Sequence, residues 1–571
     1  MTLRTGLCFW IVALLAGAHS AVATPMPFQR ESPLQRYSWH LKDGKPFQVG
    51  IESDNYLSLI NDGYDAFLLR VHLIRNAEFS IDIQTFILAN DECGQFLTQE
   101  LIQAARRGVK VRMLVDHFMS SRDRKWVAYL ASVHPNFELR YYRPPTGQID
   151  PSKIALLVHS IVFFQQTNQR MHNKIMIVDD AIAVTGGRNI DNHYYNNSLT
   201  YNFVDLDALV LGPIIGPMES SFDEFWRYRR SIPAEDLGDV SSIIRRRVDL
   251  DSEEFMPVSP YFERINRDAD DPAEIQKRFV DTLAPVQRLR FLADKPGKNS
   301  LIGFWGGGKA TRQLQRAIRR SEEELLMQSP YLILNGSGRR HFRKMRRQHP
   351  EMEITVSTNS FAATDNTLAY SANYKLRNAY IEMIDMNIFE YMPHPRELPD
   401  YLPNHVELAD AARAAGFENE PFLCIHAKTF VVDNEIGYVG SYNIDPRSRN
   451  LNTEVGLLIE DPSVVAQLRN IILGRTRPEN SWVIARKELA LSEVNFLVEG
   501  LFGLSPVDLW PIRSTSSFEL IPGKEAVHTD HPDFYMNYKD VGSFPGAEPG
   551  SVKQLTTSLY KMFNTLAIPI L

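Results

Sequence analysis

Cysteine is nearly missing from this chain: three in 571 residues, Cys8, Cys93 and Cys424. Cys8 lies in an N-terminal apolar stretch, so only two cysteines belong to the body of the protein. That excludes a disulfide framework, and two free thiols are expected. Long hydrophobic runs are just as scarce. Beyond the N-terminus no window approaches the roughly 20 apolar residues of a membrane-spanning helix. Positive charge is not in excess either, with 62 Lys and Arg against 69 Asp and Glu and a net charge of −7. A general affinity for nucleic acid is therefore not expected, although a local basic cleft stays open. What is present, 44% hydrophobic and 23% charged residues, is the composition of a globular protein too long for one core.

The N-terminus reads as an export signal, residues 1–23. Arg4 supplies the positive end, Leu7 to Ala18 the apolar stretch, and Ala21-Val22-Ala23 a small-residue cleavage site. An exported, periplasmic protein is the expectation.

One uncommon pattern occurs twice. His172, Lys174, Asp179, Gly186, Gly187 and Asn189 are repeated as His426, Lys428, Asp433, Gly440, Ser441 and Asn443, each His, Lys, Asp and Asn displaced by 254 positions. Strand and helix candidates alternate around both copies. Ser80 to Ile87 and Val109 to Asp116 precede the first; Leu325 to Tyr331 and Met352 to Ser357 precede the second. Such alternation implies an α/β class, duplicated. We read residues 24–235 as a first lobe, 236–290 as a charged connector, 291–475 as a second lobe and 476–571 as a C-terminal extension. Within the extension, Leu489 to Leu504 carries an apolar stripe expected to pack on the second lobe rather than to dock on a membrane.

If Met171 to Asp179 is one strand, His172 and Lys174 share a face and Asp179 looks the other way. Asp179 and Asp433 then tie down strand ends, and His and Lys form the working face. Gly187 and Ser441 follow an apolar strand where small side chains let backbone approach a ligand. Asn189 and Asn443 offer amide hydrogens. Two Lys, two Asn and the Ser441 hydroxyl converging on one point suit a tetrahedral phosphate with developing charge. One imidazole can attack phosphorus; the other can protonate the leaving alkoxide and later deprotonate an acceptor. Each needs a carboxylate on its second nitrogen. Glu454, on the next strand candidate after His426, is the expected partner there. In the first half Asp205 is preferred over Asp207. A metal site is not expected, since Lys stands where a ligand would be needed, and Asp191 with His193 and Asp116 with His117 read as loop polar groups.

These paired motifs, with Met171-His172-Asn173-Lys174, Gly186-Gly187-Arg188-Asn189-Ile190, Phe203-x-Asp205-Leu206-Asp207, Ser329-Pro330-Tyr331 and Thr358-Asn359-Ser360-x-Ala362-Ala363-Thr364-Asp365, resemble the phospholipase D superfamily, and within it the bacterial cardiolipin synthases of the C type. The resemblance covers most of residues 50 to 475. It implies two similar α/β/α sandwich lobes about a pseudo-twofold axis, one site between them in a monomer, the N-terminal motif's His as nucleophile, and no metal or other cofactor. It also implies phospholipid substrates and a peripheral membrane surface as partners. Tyr370 stands where those synthases tend to carry His. The leading expectation is transfer of a phosphatidyl group through phosphohistidine to the hydroxyl of another phospholipid. Alternatives are an exported phospholipase D that yields phosphatidic acid, a periplasmic phosphodiesterase or nuclease, and a lipid-binding protein with a decayed site.

Overall fold

The computed structural model describes residues 32–42, 55–152, 154, 168–246, 257–298, 307–488 and 513–546. The expected export signal, the Leu489 to Leu504 stripe and the end of the tail lie outside the described residues.

The first lobe carries β1 (Asn55–Ile60), β2 (Ser80–Thr85), β3 (Lys110–Asp116), β4 (Phe137–Tyr142), β5 (Ile175–Val178), β6 (Ile182–Gly186), β7 (Tyr201–Val204), β8 (Asp207–Leu211), β9 (Ser231–Pro233) and β10 (Ala284–Val286). The second carries β11 (Arg288–Ala293), β12 (Glu324–Gln328), β13 (Glu353–Asn359), β14 (Met386–Tyr391), β15 (Phe422–Ile425), β16 (Thr429–Val432), β17 (Ile436–Gly440), β18 (Val455–Glu460), β19 (Ser481–Arg486), β20 (Thr515–Leu520) and β21 (Tyr538–Gly542). Strand order in the first sheet is β10-β1-β8-β6-β5-β2-β3-β4-β9, and in the second β11-β18-β17-β16-β12-β13-β14-β19-β20-β21. From β1 to β9 and from β11 to β19 the two orders are the same fold written twice. β2, β3 and β4 are parallel, as are β12, β13 and β14. The connections that return the chain between them are the helices Glu92–Arg106 and Gly336–Gln348, begun by Asp91 and Asn335 side-chain caps.

Alternation along the strands divides the apolar residues between two cores. On β5, Met176 and Val178 face the outer helices Gly63–Asn76 and Glu92–Arg106, whereas Ile175 and Ile177 join a core shared by both lobes. That shared core holds Ala183, Val210, Phe222 and Phe225 from the first half and Leu326, Val431, Val439, Leu457 and Leu468 from the second. The helices Ile215–Trp226 and Pro462–Gly474 are buried in it, so each sheet has helices on both faces. Burying one such Leu, Val or Phe contributes about 1.5–3 kcal/mol. The duplicated halves are therefore held together by apolar packing along their length.

Two expectations change. The charged segment read as a connector is partly core: Tyr261, Phe262, Ile265, Ile275 and Phe279 are buried in the first lobe, because charge lines only one face of the helix Pro260–Ala269. Past residue 475, β19 to β21 continue the second sheet, with β19 in the place that β9 holds in the first. The two cysteines are buried and not joined in a disulfide, as expected, and Cys93 lies in the first turn of the helix Glu92–Arg106.

Candidate functional site

β5 and β6 join through Asp179-Asp180, and β16 and β17 through Asp433-Asn434, all four with positive φ of 48 to 53°. Asp and Asn tolerate that left-handed turn. The Asp179 carboxylate accepts backbone N–H bonds from Glu78, Phe79 and Ser80 at 2.7 to 2.9 Å. Asp433 does the same for Glu322, Glu323 and Glu324. Both stand at the far end of their strands from the histidines and clamp the start of the neighbouring strand.

The motif's other end leaves the sheet. Regular pairing starts only at Ile175, not at Met171, and residues 170 to 172 run instead along the second lobe. Thr453 N donates to Arg170 O at 2.9 Å, and His172 N donates to Thr453 O at 3.1 Å. The second motif mirrors this on the first lobe, where His426 N donates to Val204 O at 2.8 Å. β7 and β15 pair in parallel across the same junction. Asp116, expected to be a loop polar group, holds the crossing segment: its carboxylate accepts from Met171 N and Phe118 N, both at 3.0 Å.

This crossing overturns the expected carboxylate pairing. His172 Nδ1 lies 2.9 Å from Glu454 Oε2, and His426 Nδ1 lies 2.6 Å from Asp205 Oδ2. Each histidine takes its carboxylate from the opposite lobe. Asp207, the residue set aside in favour of Asp205, instead binds Arg70 at 2.8 Å. Both imidazoles keep Nε2 for other partners.

The lysines turn back on their own motif. Lys174 Nζ donates to His172 O at 2.8 Å and Lys428 Nζ to His426 O. Burial, with Lys428 beside it, lowers Lys174 to about 7; burial lowers Lys428 to about 8 against the pull of Asp205, Asp365 and Glu454. Burial and the lysines hold both imidazoles well below their ordinary value, so both are neutral at pH 7. Burial alone would raise the Asp205 carboxyl, but His426, Lys428 and Arg188 keep it well below the usual range. Glu454 goes the other way, raised by burial to about 7 despite Lys298 and its bond from Ser441.

The small residues serve the carboxylates rather than a ligand. A Cβ on Gly187 would fall 2.0 Å from Asp205 Oδ1, and one on Gly186 would fall 2.3 Å from Asp207 Oδ1. Ser441 donates its hydroxyl to Glu454 Oε2 at 2.5 Å, so it positions a carboxylate instead of facing phosphate as expected. Asn189 is also engaged, its amide donating to the Tyr194 hydroxyl at 2.7 Å and its oxygen accepting from Ile87 N. Asn443 is buried with its side-chain oxygen unpartnered.

Several residues here escaped sequence reasoning. The Tyr194 hydroxyl lies 3.4 Å from His426 Nε2. Phe86 meets the His172 ring edge-on at 4.8 Å and lies 5.1 Å from Lys174 Nζ, while Phe203 flanks His426. Asp294 binds both Lys298 Nζ and Glu454 N, buttressing Glu454 from behind. Nothing in the motif spacing marks them. Tyr370 is buried against Phe361, Tyr374 and Phe544, with its hydroxyl 3.3 Å from Glu390. His193 pairs with Asp191 and lies 3.4 Å from the Thr200 hydroxyl, and among the described residues no cluster of three His, Cys, Asp or Glu could hold a metal ion.

Sequence comparison matches residues 71–226 and 314–474 to the family described as cardiolipin synthase, PLD-like domain. An uncharacterized protein of Helicobacter pylori strain J99 is 30% identical over 456 residues, 78% of this chain and 82% of that protein. Cardiolipin synthase C of Escherichia coli K12 is 29% identical over 413 residues, covering 71% and 81%. A solved structure of phosphatidylserine synthase from Haemophilus influenzae Rd KW20 covers 74% of this chain and 86% of that one, at 13% identity and a TM-score of 0.48.

Proposed function

Because the chain belongs to the cardiolipin synthase family of phospholipase D-like enzymes, we propose that it transfers a phosphatidyl group through a phosphohistidine to the hydroxyl of another phospholipid. One observation carries the reading: two buried imidazoles, each held through Nδ1 by a carboxylate of the opposite lobe, leave two Nε2 atoms for one phosphodiester.

In this scheme His172 Nε2 attacks phosphorus while the P–O bond to the departing head group breaks. Nδ1–H stays on Glu454, which stabilises the positive charge of the phosphorylated ring. The leaving alkoxide takes its proton from His426, whose cation is matched by the firmly ionised Asp205. An acceptor hydroxyl then gives its proton to neutral His426 and attacks phosphorus, releasing His172. Lys174 and Lys428 hold the non-bridging oxygens, and their low-dielectric setting strengthens that hold. The substrate's negative charge also offsets the lysines, which raises His426 toward the protonated form that its role requires.

The difference between the carboxylates favours His172 as nucleophile and His426 as acid, since a general acid gains most from a partner that stays charged. The mature enzyme is read as exported, on the strength of residues 1–23, with Lys, His and backbone dipoles meeting the charge without a metal. Incubating the protein with labelled phosphatidylglycerol or phosphatidylethanolamine and resolving the products tests the reading. Cardiolipin supports transfer; phosphatidic acid alone replaces it by hydrolysis, and cleavage of an oligonucleotide but of no lipid replaces it by nuclease activity.

A further inference from the structure

The second lobe contains a cavity of about 400 Å³ that neither His172 nor His426 lines, within the roughly 300–1,000 Å³ range of small-molecule sites. Leu314 and Ile318 of the helix Lys309–Ile318, Phe342 of the helix Gly336–Gln348, and Met327, Ile333 and Phe430 from the sheet side line its interior. Tyr442, Ile444 and Asp445, which flank Asn443 in the sequence, also line it. Arg319, Arg340, His341 and Arg449 line it as well, Arg319 and Arg340 being exposed. An apolar interior thus ends in a cationic collar.

The collar belongs to a larger imbalance. Residues 309–320 hold five Lys or Arg, residues 336–348 hold six, and neither segment has an acidic residue, in a chain whose net charge is −7. Arg320 and Arg346 reach Glu460 and Asp385. Among the described residues, Arg319, Arg340, Arg449 and Lys344 have no carboxylate within ion-pair distance. Arg449 is held by neutral groups, Asn335 and the Ser337 hydroxyl. His341 Nε2 is buried without a hydrogen-bond partner, and burial together with Arg319, Lys344 and Arg449 lowers its ring. Cations kept close together without counter-charge around an apolar hole lack an anion that carries a hydrocarbon.

We propose that this cavity takes one acyl chain of an anionic phospholipid, whose phosphate is held by Arg319, Arg340, Arg449 and His341. With a methylene about the size of a water molecule, about 30 Å³, the cavity has room for roughly a dozen chain carbons. The basic faces of the two helices would then lie against the negative surface of the bilayer. This second lipid site is independent of the phosphate chemistry between the lobes.

The test is isothermal titration of the full chain, as the His172→Ala variant to prevent turnover, with monomeric lauroyl lysophosphatidylglycerol. Saturable binding is expected, at least tenfold weaker for lauroyl lysophosphatidylcholine, for Arg319→Ala with Arg340→Ala, and for Leu314→Trp, which fills the cavity. Ile333→Phe serves if Leu314→Trp does not fold. Equal affinity for the two head groups, or an unchanged affinity in a folded cavity-filling variant, overturns the proposal. Displacement by millimolar inorganic phosphate would reduce the site to a phosphate site, and displacement by a duplex oligonucleotide would reassign the basic face to nucleic acid; either result also overturns it.

Discussion

Replacing Lys174 by Met is expected to stabilise the protein while abolishing turnover. Burial and Lys428 lower Lys174 from 10.5 to about 7, and at about 1.36 kcal/mol per pH unit a shift of that size costs the folded state on the order of 5 kcal/mol. Met fills a similar volume without charge. Against the gain stand the bond from Nζ to His172 O, about 1 kcal/mol, and the contact with the Phe86 ring at 5.1 Å, about 1–2 kcal/mol when desolvated. A net gain of about 2–3 kcal/mol is left. Its pH dependence has a definite sign. Because the folded-state value lies below the unfolded one, the cost in the parent is complete below pH 7, shrinks as pH rises, and vanishes above about 10.5. Urea unfolding of parent and variant at pH 6, 8 and 10 should show the variant ahead by most at pH 6 and the two converging by pH 10. A variant less stable than its parent at pH 6, or a gap that does not change with pH, would refute the account of a lysine held for catalysis at the expense of stability.

Four further outcomes follow from the geometry. With a phospholipid analogue whose leaving group is a stable phenolate, His426→Ala and Asp205→Asn should both keep a burst of covalent labelling and a labelled His172 peptide, whereas His172→Ala and Glu454→Gln should not; the opposite grouping of the carboxylates would refute the crossed pairing. Gly187→Ala should lower kcat more than about 100-fold and stability by about 1–3 kcal/mol, since its Cβ would meet Asp205 at 2.0 Å; near-parent kinetics would show that Asp205 can move freely. Asp179→Ala, which removes the charged acceptor of three largely exposed N–H donors, should cost about 1–3 kcal/mol in denaturant unfolding, yet leave the kcat of the folded fraction within about threefold. Turnover should survive EDTA, and loss with recovery on adding a divalent ion would replace the metal-free scheme.

Much of this was readable in the sequence. The repeated motif announced duplication, and in each copy the stretch from Lys to Asp holds one short strand ending in a left-handed Asp turn. Asp205 was separable from Asp207 only as a choice, because both sit on one short stretch and their partners, His426 and Arg70, come from elsewhere in the chain. Simple alternation misled in one place. It treated Met171 to Asp179 as one unbroken strand, but the chain leaves the sheet before Ile175 and lies along Thr453. Alternation is a property of a pleated ladder, and it stops where the ladder stops.

The crossed carboxylates were hidden for a deeper reason, and they bear on why the motif comes in pairs. Pairing within each half is the economical reading of a linear sequence, since Glu454 follows His426 and Asp205 follows His172 at similar distances. In three dimensions each carboxylate stands behind its own lobe's small residue, Asp205 against Gly187 and Glu454 against Ser441, and it faces outward across the junction. The histidine that arrives there belongs to the other lobe, carried by backbone bonds to Thr453 or Val204. One lobe alone therefore holds a histidine without its carboxylate and a carboxylate without its histidine. Separating the lobes would expose the shared core and leave Asp205 and Glu454 without their imidazole partners. The site is thus built by the contact between the two halves, and either half alone would hold it incomplete.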